Sequence, residues 1–284
     1  MDSPVEYQNS SIAAFFDLDK TIIARSSALA FGRPFYHGGL IGRRDVLRSA
    51  YAQLVFRLGG ADHEHMERMR AYVSELCRGW PVQQVRRIIE ETLAELIDPY
   101  IYEEAAALIE GHRGYGHDVV IVSSSGAEIV RPIGELLGAD RVIATRMAIE
   151  DGRYTGDIEF YAYAKTKAEA IVRLAEEQGY DLAAGYAYSD SITDLPMLEA
   201  VGHPHAVNPD RPLRRLAFAR GWPILIFTQP VPLRQRLHQQ LHRRLQKRPM
   251  LAATATVAAA AGLAWYANRR RVRCASQSAG SRSA

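Results

Sequence analysis

Ile12-Ala13-Ala14-Phe15-Phe16-Asp17-Leu18-Asp19 decides how this chain is read. An unbroken apolar run stops abruptly at two acids one residue apart. A run of this length fits a strand buried on both faces, as in a parallel sheet. The pleat sets Asp17 and Asp19 on one side of the chain, and a turn just beyond lets both face one cleft. Two such carboxylates attract Mg²⁺, which takes oxygen ligands. One can serve as a nucleophile and the other as a general acid and base. The plainer alternative is a pair of turn or capping aspartates.

Downstream the pattern changes twice. Val46, Leu47, Ala50, Tyr51, Leu54, Val55 and Leu58 recur at helical spacing. So do Met66, Met69, Tyr72, Val73 and Leu76, and then Val82, Val85, Ile88, Ile89, Leu93 and Leu96. This block reads as amphipathic helices with no strand signal. Strand signals then return. Asp118-Val119-Val120-Ile121-Val122 is a buried run closed by Ser123-Ser124-Ser125-Gly126, and 142–145 is another. Residues 147–150 and 153–158 flank Asp151-Gly152 and read as a β-hairpin. An amphipathic helix over 167–178 stops at Gly179. Residues 185–188 form a strand ending in Ser189-Asp190, with further strands at 206–207 and 224–227. Strands alternating with helices predict an α/β fold with a mostly parallel sheet covered on both faces. Ligands bind beyond the C-terminal strand ends of such sheets, where Asp17, Ser123 and Asp190 fall.

Several further residues carry chemistry in this arrangement. A Ser123 hydroxyl beside the N–H groups of Ser124 and Ser125, leading into a helix, can cradle phosphate or simply cap the helix. The chain has only four lysines, Lys20, Lys165, Lys167 and Lys247, against 31 arginines. Lysine amid so much arginine points to a place that needs a compact ammonium, and Lys167 opens a helix. Asp190 and Asp194 lie four apart at a strand-to-helix junction. One can complete a Mg²⁺ site while the other holds Lys167 or a metal-bound water, or both can be dipole-favoured helix acids.

The composition bounds the rest. The 284 residues are 48% hydrophobic and 24% charged, which excludes wholesale disorder, a collagen-like repeat and a polytopic membrane protein. The two cysteines, Cys77 and Cys274, leave no disulfide framework and no Cys-rich zinc site, and fit a reducing compartment. MDSPVEYQNS reads as disordered and lacks the pattern of a signal peptide. The net charge of +3 hides an asymmetry: residues 1–210 carry 20 cations against 32 acids, whereas the remainder carries 15 cations and no acid. An acidic body with a basic tail is not the footprint of a nucleic-acid-binding domain.

That tail has its own pattern. Six cations fall within 231–248 and four within 268–273, on either side of the uncharged, alanine-rich 251–267. With Pro249-Met250 ahead of it and Trp265-Tyr266 near its end, 249–267 reads as a single membrane-spanning helix, with peripheral electrostatic attachment as the alternative. The basic excess on its N-terminal side places the preceding domain on the cytoplasmic face of the membrane.

The order DxDxT, strand-terminal Ser, Lys and DSxxD resembles the haloacid dehalogenase (HAD) superfamily of phosphohydrolases over residues 11 to about 210. Phe16-Asp17-Leu18-Asp19-Lys20-Thr21 matches its first motif, Ile121-Val122-Ser123 its second, Lys167 its third, and Asp190-Ser191-Ile192-Thr193-Asp194 its fourth. The helical block is similar to the type 1 cap of the phosphoserine-phosphatase-like subfamily IB, and the chain resembles actinobacterial, membrane-tailed members. The resemblance implies a Rossmann-like core over 11–24 and 101–230, a helical cap over 25–100, a basic linker over 231–248, a transmembrane helix over 249–267 and a basic tail over 268–284.

It also implies roles. Asp17 would be the nucleophile, and Asp19 the general acid and base that marks phosphoryl transfer rather than dehalogenation. Thr21, Ser123, Ser124 and Lys167 would hold the phosphoryl group. Asp17, Asp19 through its carbonyl, and Asp190 would bind Mg²⁺, with Asp194 behind Lys167 or the metal. The implied activity is Mg²⁺-dependent hydrolysis of a small phosphomonoester. The alternatives are a lipid phosphate, as in phosphatidylglycerophosphate phosphatases, and a non-catalytic membrane-tethered scaffold. Two departures stand out. Ser189 replaces the usual glycine before the fourth motif. Phosphoserine phosphatases carry a Glu for the substrate amine at the place of Ser26, and residues 22–30 contain no acid, which argues against phosphoserine itself.

Overall fold

The opening apolar run is strand β1, Ala13–Phe16, at the centre of a seven-stranded sheet. A computed structural model describes residues 11–42 and 63–230, with side chains from residue 70 onward in the second stretch. These residues fall within one compact unit, residues 1–233. Alternate β1 side chains face opposite ways: Ala14 and Phe16 enter one buried cluster, Ala13 and Phe15 the other, and none is more than 1% exposed. Burial of each phenylalanine contributes about 1.5–3 kcal/mol. This two-sided burial is why the run is apolar without alternation.

The other strands are β2 (Asp118–Gly126), β3 (Arg141–Glu150), β4 (Arg153–Phe160), β5 (Tyr186–Ser189), β6 (His203–Val207) and β7 (Ile224–Leu225). Their order is β4-β3-β2-β1-β5-β6-β7, with every neighbouring pair parallel except β3 and β4. Phe16 lies in register with Ile121 of β2 and Tyr188 of β5, so β1 and β5 end together while β2 runs on to Gly126 at the same edge.

The helices are α1 (Ser27–Ala30), α2 (Gly32–His37), α3 (His63–Cys77), α4 (Val82–Leu96), α5 (Glu103–Gly114), α6 (Ala127–Leu137), α7 (Lys165–Gln178), α8 (Leu195–Glu199) and α9 (Arg211–Arg220), with short 3-10 turns at Asp98–Tyr100 and Ile192–Asp194. The α/β architecture and the mostly parallel sheet match the sequence reading, and among the described residues every named element between β1 and β2 is helical. Within α4, Val82, Val85, Ile88 and Ile89 are the buried stripe that its periodicity predicts. In α3, by contrast, Val73 is 46% exposed. That helix lies against β4 rather than over the sheet's core.

The segments 142–145 and 147–150, read as separate strands, are one long strand, β3. Its far end leaves the parallel sheet and folds back as the hairpin with β4. Both turn residues take positive φ, 49° at Asp151 and 74° at Gly152, as a tight two-residue turn requires. The hairpin grips the α3–α4 turn. Gly79 N–H donates to the Tyr154 carbonyl at 2.8 Å, Tyr154 N–H to the Trp80 carbonyl at 3.1 Å, and Val82 N–H to the Gly152 carbonyl at 3.0 Å.

Three sequence readings lie outside the described residues: the disordered stretch over 1–10, the helical spacing over 46–58 and the apolar segment 249–267 with its flanks. Among the described residues, no helix is long and apolar enough to cross a membrane.

Candidate active site

Asp17 directly follows β1, and its N–H donates to the Tyr188 carbonyl at 2.9 Å, which extends the β1–β5 ladder past the strand. This contact sets Asp17 beside the loop Ser189-Asp190 at the end of β5. Lys167, from the first turn of α7, reaches into the same place. Its Nζ donates to Asp17 Oδ1 at 2.7 Å and to Asp194 Oδ2 at 2.8 Å. Asp17, Lys167 and Asp194 are 6%, 2% and 3% exposed, so the two contacts operate away from water. The helix start that aims Lys167 inward is strained: Ala164, just before α7, has φ of +48°.

Asp194 closes the 3-10 turn after β5 and is held from a second side by the Ser189 hydroxyl, which donates at 2.7 Å. The serine in place of the expected glycine is therefore part of the site. Asp190 makes no side-chain hydrogen bond among the described residues. Its carbonyl accepts from Asp210 N–H at 2.8 Å. The Asp210 carboxylate in turn accepts from Ile192 N–H at 3.0 Å and Leu213 N–H at 2.8 Å. Asp210 thus caps α9 and pins the loop that carries Asp190.

Asp19 is held differently. Its Oδ1 accepts from Ser27 N–H at 2.8 Å, and its Oδ2 from the Ser125 hydroxyl at 3.1 Å and the Ser26 hydroxyl at 3.5 Å. Ser123 is buried, and its Oγ accepts from Ser125 N–H at 3.2 Å. Thr21 is 1% exposed, with a hydroxyl that has no hydrogen-bond partner among the described residues. A buried hydroxyl of this kind is costly unless a ligand or water satisfies it. The Ser124 side chain is exposed. That residue contributes its carbonyl to the Thr145 hydroxyl at 2.8 Å and is not drawn into the cluster.

The electrostatics follow from burying three carboxylates around one buried ammonium. Burial pushes the Asp17 carboxyl up to about 8, with Lys167 opposing and Asp194 and Asp190 adding to the rise. Burial likewise lifts Asp190 to about 7, against the pull of Lys20. Burial disfavours the Lys167 ammonium, but Asp17 and Asp194 outweigh it and raise its pKa. Among the described residues, no group of three or more His, Cys, Asp or Glu is arranged to hold a metal. The donor chemistry nevertheless fits a hard cation: Asp17 and Asp190 are oxygen donors, and the excess of buried negative charge lifts both carboxyls.

The chain matches the protein-family model for haloacid dehalogenase-like hydrolases over residues 14–199. It belongs to that family. It is 66% identical to the inhibition of morphological differentiation protein of Streptomyces azureus, across 93% of this chain and 95% of that protein. It is 55% identical to a probable phosphatase of Mycobacterium tuberculosis, across 91% and 89%. It is 33% identical to a phosphoserine phosphatase of the same organism, across 92% and 82%. This HAD-family chain is thus a phosphatase of the phosphoserine-phosphatase-like type.

Sequence reasoning missed four side-chain roles in the HAD site. Ser27 and Ser125 hold Asp19, Ser189 holds Asp194, and Asp210 anchors the Asp190 loop. The run Ser123-Ser124-Ser125 and the doublet Ser26-Ser27 were visible as hydroxyl-rich stretches. Nothing local shows that the two meet.

Proposed function

We propose that this HAD phosphatase is a Mg²⁺-dependent phosphomonoesterase that works through an aspartyl-phosphate on Asp17. The observation that carries this reading is Lys167 Nζ seated between Asp17 and Asp194 at 2.7 and 2.8 Å, at the C-terminal ends of β1 and β5. Lys167 fixes the attacking carboxylate and provides positive charge where negative charge gathers on the phosphoryl oxygens. An Asp17 oxygen attacks phosphorus, and the bond to the leaving oxygen breaks as Asp19 gives it a proton. Asp19 then takes a proton from water as that water attacks phosphorus. The bond to Asp17 breaks, and inorganic phosphate leaves. The Ser123 hydroxyl and the Thr21 hydroxyl, which has no partner among the described residues, are donors for the phosphoryl oxygens. Mg²⁺, held by Asp17, Asp190 and the Asp19 carbonyl, would neutralise negative charge on the site and the phosphoryl group.

Residues 11–24 and 101–230 form the catalytic core in this reading. Residues 25–100 are the cap that excludes water and selects substrate. The substrate is a small phosphomonoester other than phosphoserine: residues 22–30 offer no carboxylate for a substrate amine, and Ser26 turns its hydroxyl to Asp19. A lipid phosphate is the second reading. It is supported by the sequence that follows the core, which is basic over 231–248 and apolar over 249–267. The test is phosphate release from a panel of metabolite and lipid phosphates, with Mg²⁺ and with EDTA. Mg²⁺-dependent release that ranks the panel is expected. Release that EDTA leaves unchanged would overturn the metal requirement, and no release from any phosphomonoester would overturn the whole reading.

A further inference from the structure

Two serines far apart in sequence meet at one side of Asp19. The Ser27 hydroxyl donates to Ser125 Oγ at 3.0 Å, and the Ser125 hydroxyl donates to Asp19 Oδ2 at 3.1 Å. The Ser27 N–H donates to the other carboxylate oxygen at 2.8 Å. Both side chains are buried, at 0% and 7% exposure. A hydroxyl can accept one hydrogen bond and donate another, so the chain has a direction, from Ser27 through Ser125 to Asp19. Neither serine lies among the phosphate or metal groups of the proposed mechanism.

The geometry constrains Asp19 in a specific way. One oxygen is tied to the start of α1, directly after the first-motif loop, and the other to the end of β2, on a separate strand. With both oxygens engaged from two segments, the carboxyl plane cannot turn without breaking at least one hydrogen bond. General acid catalysis depends on that orientation, because a proton must be delivered within hydrogen-bond reach of the leaving oxygen.

We propose that Ser125, backed by Ser27, is a positioning residue that holds the Asp19 carboxyl in the orientation from which it protonates the leaving group. This rests on the reading of Asp19 as the general acid. The test compares two substrates through kcat/KM, which reports the steps up to release of the leaving group. A primary alkyl phosphate has a poor leaving group that needs the proton, whereas p-nitrophenyl phosphate leaves as an anion and needs little help. Ser125→Ala should lower kcat/KM for the alkyl phosphate by about 10–100-fold, a part of the full ~10²–10⁴-fold general-acid effect. The same variant should change p-nitrophenyl phosphate by less than about threefold, since that substrate bypasses proton delivery. Ser125→Thr should restore the alkyl rate. Ser27→Ala should show the same leaving-group bias at a smaller scale, because its N–H contact survives; it also serves if Ser125→Ala fails to fold. Asp19→Asn is the reference and should show the bias at its largest, and Asp17→Asn should be inactive on both substrates. Equal losses on both substrates in the serine variants, or unchanged or faster alkyl turnover, would overturn the positioning role while Asp19→Asn keeps its bias. An Asp19→Asn variant without bias would remove Asp19 as the acid, and the serine proposal with it.

Discussion

The two aspartates of the first motif are two residues apart, yet they occupy opposite electrostatic settings. Asp17 is 6% exposed, bonded to a buried ammonium and crowded by Asp190 and Asp194. Asp19 is partly exposed and receives its hydrogen bonds from two hydroxyls and one amide, all uncharged. The difference matches the work proposed for each. A nucleophile must stay in one place with its charge managed, and a fixed cation does this at the cost of rigidity. An acid and base must meet the leaving oxygen in one orientation, and donors from two separate segments hold the Asp19 carboxyl there.

Breaking the charged side should produce the largest effects. Asp17→Asn removes the attacking oxyanion, and turnover should fall by roughly 10⁴-fold or more with the fold intact, as for other nucleophile deletions. Phosphate release combined with a circular-dichroism melt checks both parts. Lys167→Met leaves Asp17 and Asp194 buried without a counter-charge. It should destabilise the protein by about 3–5 kcal/mol and abolish activity. Lys167→Arg should fail to restore activity, because a planar fork does not fill a pocket formed around a compact ammonium. Urea titrations of the three proteins would show whether the loss is structural, chemical or both.

A third measurement sharpens the contrast through pH. Asp17 at about 8 and Asp190 at about 7 both stand above the ordinary 3.8. The metal-free folded state therefore binds more protons than the unfolded chain between these values, and it should gain stability as pH falls from 8. Mg²⁺ must displace those same protons. The rise in melting temperature on replacing EDTA with Mg²⁺ should be large at pH 8 and small at pH 6. Equal rises at both pH values would contradict the assignment of Asp17 and Asp190 to the cation. The smallest effect belongs to Ser189→Ala, which strips Asp194 of its hydroxyl partner but leaves Lys167 in place. We expect a loss of about 1–2 kcal/mol and a few-fold drop in kcat, measured by denaturant melts and steady-state kinetics.

Much of this fold was legible because its signals are local. The β1 run, the Asp-Gly hairpin and the helix stopped by Gly179 each follow from burial or backbone preference within a few residues. Where the reading slipped, a local pattern was interrupted by a non-local cause. The segments on either side of Arg146 read as separate strands because β3 leaves the sheet there to pair with β4. Val73 fits an apolar helical stripe, yet α3 turns toward the hairpin and leaves it exposed. The Ser124 side chain is exposed between those of Ser123 and Ser125, as strand alternation requires, whereas the phosphate reading of that residue rests on its N–H.

By itself, the sequence determined the kind of fold, the strand ends at which acids collect, and the residue types that carry phosphoryl chemistry. These are consequences of hydrophobic periodicity and of side-chain chemistry at single positions. Only the tertiary structure decided which groups touch. Lys167 and Asp17 are separated by 150 residues, and Ser27 and Ser125 by 98. Contacts of that range depend on the order and register of the strands and on the strained turn at Ala164 that aims α7 inward. They also explain why Ser189 and Asp210, ordinary residues in the linear chain, hold the groups that surround the nucleophile.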